Sequence, residues 1–222
     1  MQKAWRKPSR CFESTCGEVD TGVKVLAISC SPRDGATEHA ARLALRYLEG
    51  LIDADTRLLS SRGRHVAPCI HCDRCVRTKN GCAFSDGMDE IYEGLAWADA
   101  ILLGTPVYNG TLSAQAKAVM DRTRAVVAAG KHALDGKIGI ALAVGGDRNG
   151  GQELAMQAIN TFFLMNFMIP ACGGAFTGNC GIAFWSKDLG AGGIDSDEEG
   201  LRAMRAVVKR AIELVRRARG EG

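Results

Sequence analysis

The chain has 222 residues, 46% of them hydrophobic and 24% charged, with a formal net charge of +3. That length suffices for one large domain or two small ones, with a sizeable core. The near-neutral charge argues against nucleic acid or an anionic membrane as a partner.

Residues 1–22 lack periodicity, carry Cys11 and Cys16, and read as a tail before a domain at 23–222. No apolar segment follows the basic residues 1–10, so no secretory signal is expected, and the setting is expected to be a reducing cytoplasm. The run 23–29 (VKVLAIS) is short, apolar and bounded by turn residues, as a buried parallel strand requires. Ala and Leu recur at helical spacing over 37–49, and a weak second strand is expected at 56–59. Residues 60–86 form a long connection rich in Arg, Cys and Gly, and loops of that length are usually functional. Helix is expected at 88–97, strand at 100–103, helix at 113–129, strand at 137–144, helix at 152–166 and a fifth strand at 168–172. The most apolar stretch, 162–176, contains Asn166 and Pro170 and is too short to span a bilayer. The last helix, 198–219, aligns Leu201, Met204, Val208, Ile212 and Val215 on one stripe, with a basic solvated face opposite. Five strands alternating with helices predict an α/β fold with a doubly wound five-stranded parallel sheet. Such sheets bind ligands beyond the carboxyl ends of their strands.

Three loops fall at those ends. Ser31-Pro32-Arg33-Asp34-Gly35-Ala36-Thr37 joins the first strand to the first helix, whose N-terminus offers unpaired N–H groups and a positive dipole end to a phosphate. Ser31 and Thr37 can donate hydroxyls, Arg33 a charge-assisted contact, and Gly35 a close backbone approach. Alone, this segment reads equally as a tight turn with Thr37 as N-cap. It is neither a Walker loop nor a Rossmann fingerprint. After the third strand come Thr105, Pro106, Val107, Tyr108, Asn109 and Gly110, whose backbone suits the polar edge of an isoalloxazine while Tyr108 packs on the ring. After the fourth comes a glycine-rich turn with Gly145, Gly146 and Gly151, expected to leave room for a planar ring. Three such loops at consecutive strand ends point to FMN.

Four of the nine cysteines lie in one run: Cys69, Cys72 and Cys75 at two-residue intervals, then Cys82 after six residues. Closely spaced thiolates can wrap an iron–sulfur cubane from a single loop, so a [4Fe–4S] cluster is expected. Structural zinc usually takes two separated Cys-x-x-Cys knuckles, and a redox disulfide leaves two cysteines unused; both stay open as alternatives. Arg62, Arg64, Arg74, Arg77 and Lys79 surround the run. They are either a solvated surface, or they offset cluster charge and dock an acidic electron carrier.

Taken together, Ser31-Pro32-Arg33, the four-cysteine run, Met88-Asp89, Thr105 to Tyr108, Ser113-Ala114 through Lys117 to Asp121-Arg122, and Gly150 to Glu153 resemble the iron–sulfur flavoproteins. These belong to the NADPH-dependent FMN reductase and flavodoxin-like superfamily. The resemblance spans 24–177. It implies a flavodoxin-like strand order of 2-1-3-4-5, FMN at the strand ends, a cubane on the cysteine loop, and homodimers or homotetramers. It also implies that Ser31, Arg33 and Thr37 hold the phosphate, that Pro106, Tyr108 and Asn109 lie along the ring, and that Gly145 and Gly146 line the pocket. Ala36 stands where relatives often carry Asn, removing one side-chain contact, and the tail cysteines lie outside the pattern. The expected activity is electron transfer between a donor such as ferredoxin or NAD(P)H, the cluster and FMN. A cluster-free NAD(P)H-dependent FMN or quinone reductase and a redox-sensing binding module are the alternatives. His65, His71 and His132 have no sequence partner marking a triad.

Overall fold

The computed structural model describes residues 22–130 and 133–221, so Cys11, Cys16 and His132 lie outside the described residues. In chain order the elements are β1 (Val23–Ser29), α1 (Ala36–Glu49), β2 (Ala54–Ser60), α2 (Arg74–Thr78), α3 (Met88–Trp97), β3 (Ala100–Tyr108), β4 (Thr111–Leu112), α4 (Ala114–Arg122), α5 (Arg124–Ala129), β5 (Ile138–Gly145), α6 (Gln152–Met165), β6 (Ile169–Pro170), β7 (Ile182–Trp185), α7 (Ala191–Asp195) and α8 (Glu198–Ala218).

The sheet runs β2-β1-β3-β5-β6, all parallel, with β7 also parallel to β5 and β4 antiparallel to β3. The expected order of the five principal strands holds, but the sheet has seven strands. The fifth position is shared by two short pieces: β6 pairs with Ile138 and Gly139, and β7 with Leu142 to Gly145. The chain between them bends away at Gly173, whose N–H bonds the Gly178 carbonyl at 2.8 Å.

Side chains along each parallel strand alternate between two cores. Val25, Ala27, Leu102, Ile140 and Leu142 face α1 and α8; Leu26, Ile28, Ile101, Leu103 and Ala141 face α3, α4 and α6. The stripe expected on the last helix is its buried side, where Met204, Val208, Ile212 and Val215 pack into the first core. The helix expected at 113–129 is divided at Thr123, whose hydroxyl donates to the Met120 carbonyl at 2.6 Å, a local bond that bends helices. Among the described residues, no helix is long and apolar enough to cross a membrane.

Asp197 fastens the start of α8 to the sheet. Fully buried, it caps Gly200 N–H at 3.2 Å, accepts the Trp185 N–H at 2.7 Å and pairs with Arg148 at 2.5 Å. Removing one partner of a buried pair strands the other. Asp197→Ala is therefore expected to cost about 3–5 kcal/mol in urea unfolding, with Asp197→Asn losing clearly less.

Candidate functional site

At the carboxyl edge of the sheet, β1 leads through Cys30 and Ser31 into α1. Ser31 is buried and shapes the turn: its hydroxyl donates to the Arg33 carbonyl at 2.8 Å and accepts the Arg33 N–H at 3.3 Å. Ser61, at the end of β2, braces the same turn with its hydroxyl on the Ser31 carbonyl at 3.0 Å. Gly35 is the N-cap of α1 and no side chain caps that end. The first helical N–H to bond is that of His39, to the Gly35 carbonyl at 3.0 Å. The amides of Ala36, Thr37 and Glu38 therefore have no acceptor within the helix, and a Cβ on Gly35 would meet no protein atom. Uncapped amides at this helix end, beside an open Gly35, fit the phosphate of FMN. Arg33 and Asp34 are exposed beside them, and Thr37 is buried.

One carboxylate in the first turn opposes an anion. Burial alone would raise Glu38, but hydrogen bonds from Arg42 and Ser60 and the charges of Arg42 and Arg62 outweigh it and hold the carboxyl below its usual range. Arg62 lies 3.7 Å from Glu38 and 3.9 Å from Asp34, so it serves this edge of the site rather than the cysteines.

The second loop is built differently from expectation. Gly104 to Tyr108 continue β3, because β5 supplies ladder partners as far as Pro106 and β4 then pairs with Val107 and Tyr108. Thr105 is wholly buried, with its hydroxyl accepting the Ser113 N–H at 3.0 Å and donating to the Pro106 carbonyl at 2.9 Å. Ser113 in turn donates to the Cys30 carbonyl at 2.9 Å and caps the Ala116 N–H at 3.2 Å. Thr105 thus ties β1, β3 and α4 together and does not face a ligand. Tyr108 and Asn109 are exposed at the hairpin tip, where Asn109 and Gly110 have φ of 48° and 80°. Asn-Gly between short strands is the common hairpin signal, and it could have identified this turn from sequence.

The third loop is also more filled than expected. A Cβ on Gly145 would strike the Gln152 side chain, one on Gly146 would lie 2.7 Å from the Asp188 carboxylate, and one on Gly151 would strike the Gly110 carbonyl. On their Cβ sides these glycines allow protein to pack against protein. Gln152 closes the loop, donating to the Asp147 carbonyl at 2.5 Å and accepting the Gly150 N–H at 2.9 Å.

A fourth wall escaped sequence reasoning. The turn 186–189 follows β7, with Leu189 N–H on the Ser186 carbonyl at 2.8 Å and φ of 53° and 54° at Lys187 and Asp188. Two left-handed residues without glycine are uncommon. Trp185 anchors the turn through its indole N–H to the Gly146 carbonyl at 2.6 Å.

The cysteine loop leaves β2 and returns into α3. Cys69 and Cys72 are exposed, Cys75 and Cys82 half-buried, and none is in a disulfide. Among the described residues no three Cys, His, Asp or Glu side chains converge to hold a metal ion. The donor chemistry nevertheless fits an iron–sulfur cluster: four soft sulfur ligands on one loop. Cys30, by contrast, is buried in the core, and burial pushes its thiol up to about 12, so it stays neutral.

The neck of this loop is one ion pair. Arg122, at the end of α4, donates to both Asp86 oxygens at 2.9 and 3.0 Å and to the Ala67 carbonyl at 2.8 Å. Asp86 also accepts the Ala67 and Met88 N–H groups, each at 3.1 Å. Arg124, on α5, reaches Asp73 at 2.6 Å within the loop. Of the five cations expected around the cysteines, Arg64 pairs with Glu90 at 2.7 Å and Arg77 donates to the Cys72 carbonyl at 3.0 Å.

Burial would raise Asp86, but hydrogen bonds from Arg122, Ala67 and Met88 and the Arg122 charge hold it below its ordinary 3.8. A depressed carboxylate contributes stability above its unfolded value and loses it as pH falls through the folded one. The stability advantage of the wild type over Asp86→Asn is therefore expected to be full at neutral pH and to fade below pH 3.8, as read by denaturant titrations at stepped pH.

Residues 23–180 match the family model described as NADPH-dependent FMN reductase. An iron–sulfur flavoprotein of Methanocaldococcus jannaschii is 47% identical over 198 residues, 89% of this chain and 100% of that one. An iron–sulfur flavoprotein of Archaeoglobus fulgidus is 48% identical over 88% of this chain and 99% of its own. The flavodoxin, WrbA-like protein from Agrobacterium tumefaciens superposes with a TM-score of 0.57 at 16% identity, covering 91% of this chain and 100% of that one; it supports the fold.

Proposed function

Because the chain belongs to the iron–sulfur flavoproteins within the NADPH-dependent FMN reductase family, and is an FMN-dependent oxidoreductase, we propose that it passes electrons between a reduced donor, a [4Fe–4S] cluster and FMN. The observation that carries this reading is α4. Its first end, at Ser113, is bonded to the Cys30 carbonyl beside the phosphate loop, and its last residue, Arg122, locks the neck of the cysteine loop. At 1.5 Å per residue its nine residues span about 14 Å. One rigid element thus sets the separation of the two loops.

FMN exchanges two electrons or one at a time, whereas a cubane exchanges one, so the pair couples a two-electron donor to one-electron chemistry. The chain's own residues do the holding. The Ala36, Thr37 and Glu38 amides and Arg33 bind the phosphate, Tyr108, Asn109 and Gly110 border the ring, and Cys69, Cys72, Cys75 and Cys82 ligate iron. NAD(P)H or a ferredoxin is the donor, a homodimer or homotetramer is the assembly that the family resemblance implies, and the cytoplasm is the setting expected from the sequence.

The test is anaerobic purification with iron, sulfide and flavin assays and a visible spectrum before and after dithionite. The expected outcome is about four irons and one flavin per chain, with absorbance that dithionite bleaches. Flavin with fewer than about two irons per chain after reconstitution would instead support a cluster-free NAD(P)H-dependent FMN or quinone reductase.

A further inference from the structure

Arg122 is the largest fully buried side chain among the described residues. Asp86 and Ala67 occupy its two terminal nitrogens, yet its Nε–H is buried with no acceptor. Leaving a buried donor unmet is costly, the more so on a charged group. A carboxylate can bind a guanidinium across its Nε side; here Asp86 takes the opposite end. The pair therefore presents the Nε end as its positive, unpartnered face. The Phe84 ring lies against the guanidinium, its centroid 5.1 Å from Arg122 Cζ, and Cys82, two residues earlier, packs against the same core as Tyr92. Tyr92 itself donates to the Arg122 carbonyl at 3.0 Å, so backbone and side chain of Arg122 are both held. The Nε–H of Arg74, next to Cys75, is likewise buried without an acceptor. Two orphaned guanidinium donors thus bracket a loop of thiols.

We propose that Arg122 is the positioning residue of the metal–thiolate centre on the cysteine loop, its Nε–H donating a hydrogen bond to the Cys82 sulfur and its charge favouring the reduced centre. This rests on the reading of the four cysteines as cluster ligands. Hydrogen bonds to sulfur, net charge and burial set the potential of such centres. Reduction adds one electron to the cluster, and a fixed positive end beside a ligand sulfur stabilises that added charge. Asp86 holds the guanidinium in register, and removing both charges together avoids stranding either.

The experiment is a redox titration of reconstituted, flavin-loaded protein, comparing wild type with the Asp86→Asn/Arg122→Gln double variant and with Arg122→Lys. The double variant is expected to keep its flavin at the wild-type flavin potential. Its cluster should become harder to reduce by at least tenfold in the one-electron equilibrium, a shift of about 59 mV. General loosening of the fold would move both potentials. An iron-loaded double variant with the wild-type cluster potential overturns the inference while leaving the cluster reading intact. If the double variant keeps flavin but loses iron, Arg122→Lys, which keeps the charge and loses the Nε–H, decides: a lowered cluster potential supports the inference and an unchanged one overturns it. Loss of iron from both variants with flavin retained also supports the assignment. A wild type that takes up no iron overturns the cluster reading and this inference with it.

Discussion

The uncapped N-terminus of α1 is the constraint on which the site depends. A parallel sheet sends every strand out of one edge, and each chain must turn there before returning as a helix. At the start of α4 the Ser113 side chain caps a helical amide; at Gly35 none does. Three N–H donors and the positive end of the helix dipole are left together at the edge, the arrangement that the proposed phosphate site uses. The surrounding structure protects that arrangement. Ser31 and Ser61 brace the turn, while Arg42 and Arg62 offset the charge of Glu38 in the first helical turn, and Arg62 also lies near Asp34.

From this edge the organisation passes along α4. The Thr105–Ser113–Cys30 hydrogen bonds fix where the helix begins, and the Arg122–Asp86 pair uses its far end to close the cysteine loop. A buried ion pair is weak as a source of stability, because desolvation offsets its attraction. What it supplies here is a fixed place for a loop that otherwise contains only the five-residue helix α2.

Periodicity resolved the parts of the fold that packing alone determines. VKVLAIS reads as a buried strand and is one, and the stripe of α8 lies against the sheet. It failed where a partner decides. β3 extends to Tyr108 because β5 and β4 are there to pair with it, and the fifth strand is split because the segment around Gly173 loops out between two places on β5. In the site, the turn between β1 and α1 was legible from strand, turn and helix in succession. At the glycines 145, 146 and 151 only the fold reveals that Gln152, Asp188 and Gly110 occupy the place a Cβ would take. Arg122 and Asp86 stand 36 positions apart, and nothing local in either neighbourhood announces their pairing.

On the proposed function, phosphate binding at the α1 N-terminus anchors the cofactor. Its most direct test is the affinity of the flavin-free protein for FMN against riboflavin, which carries the same ring and ribityl chain without the phosphate, read by quenching of flavin fluorescence. Charge-assisted hydrogen bonds contribute about 1.5–3 kcal/mol each, so FMN should bind at least tenfold more tightly, and Arg33→Gln should narrow the gap. Equal affinity for the two flavins would contradict the account.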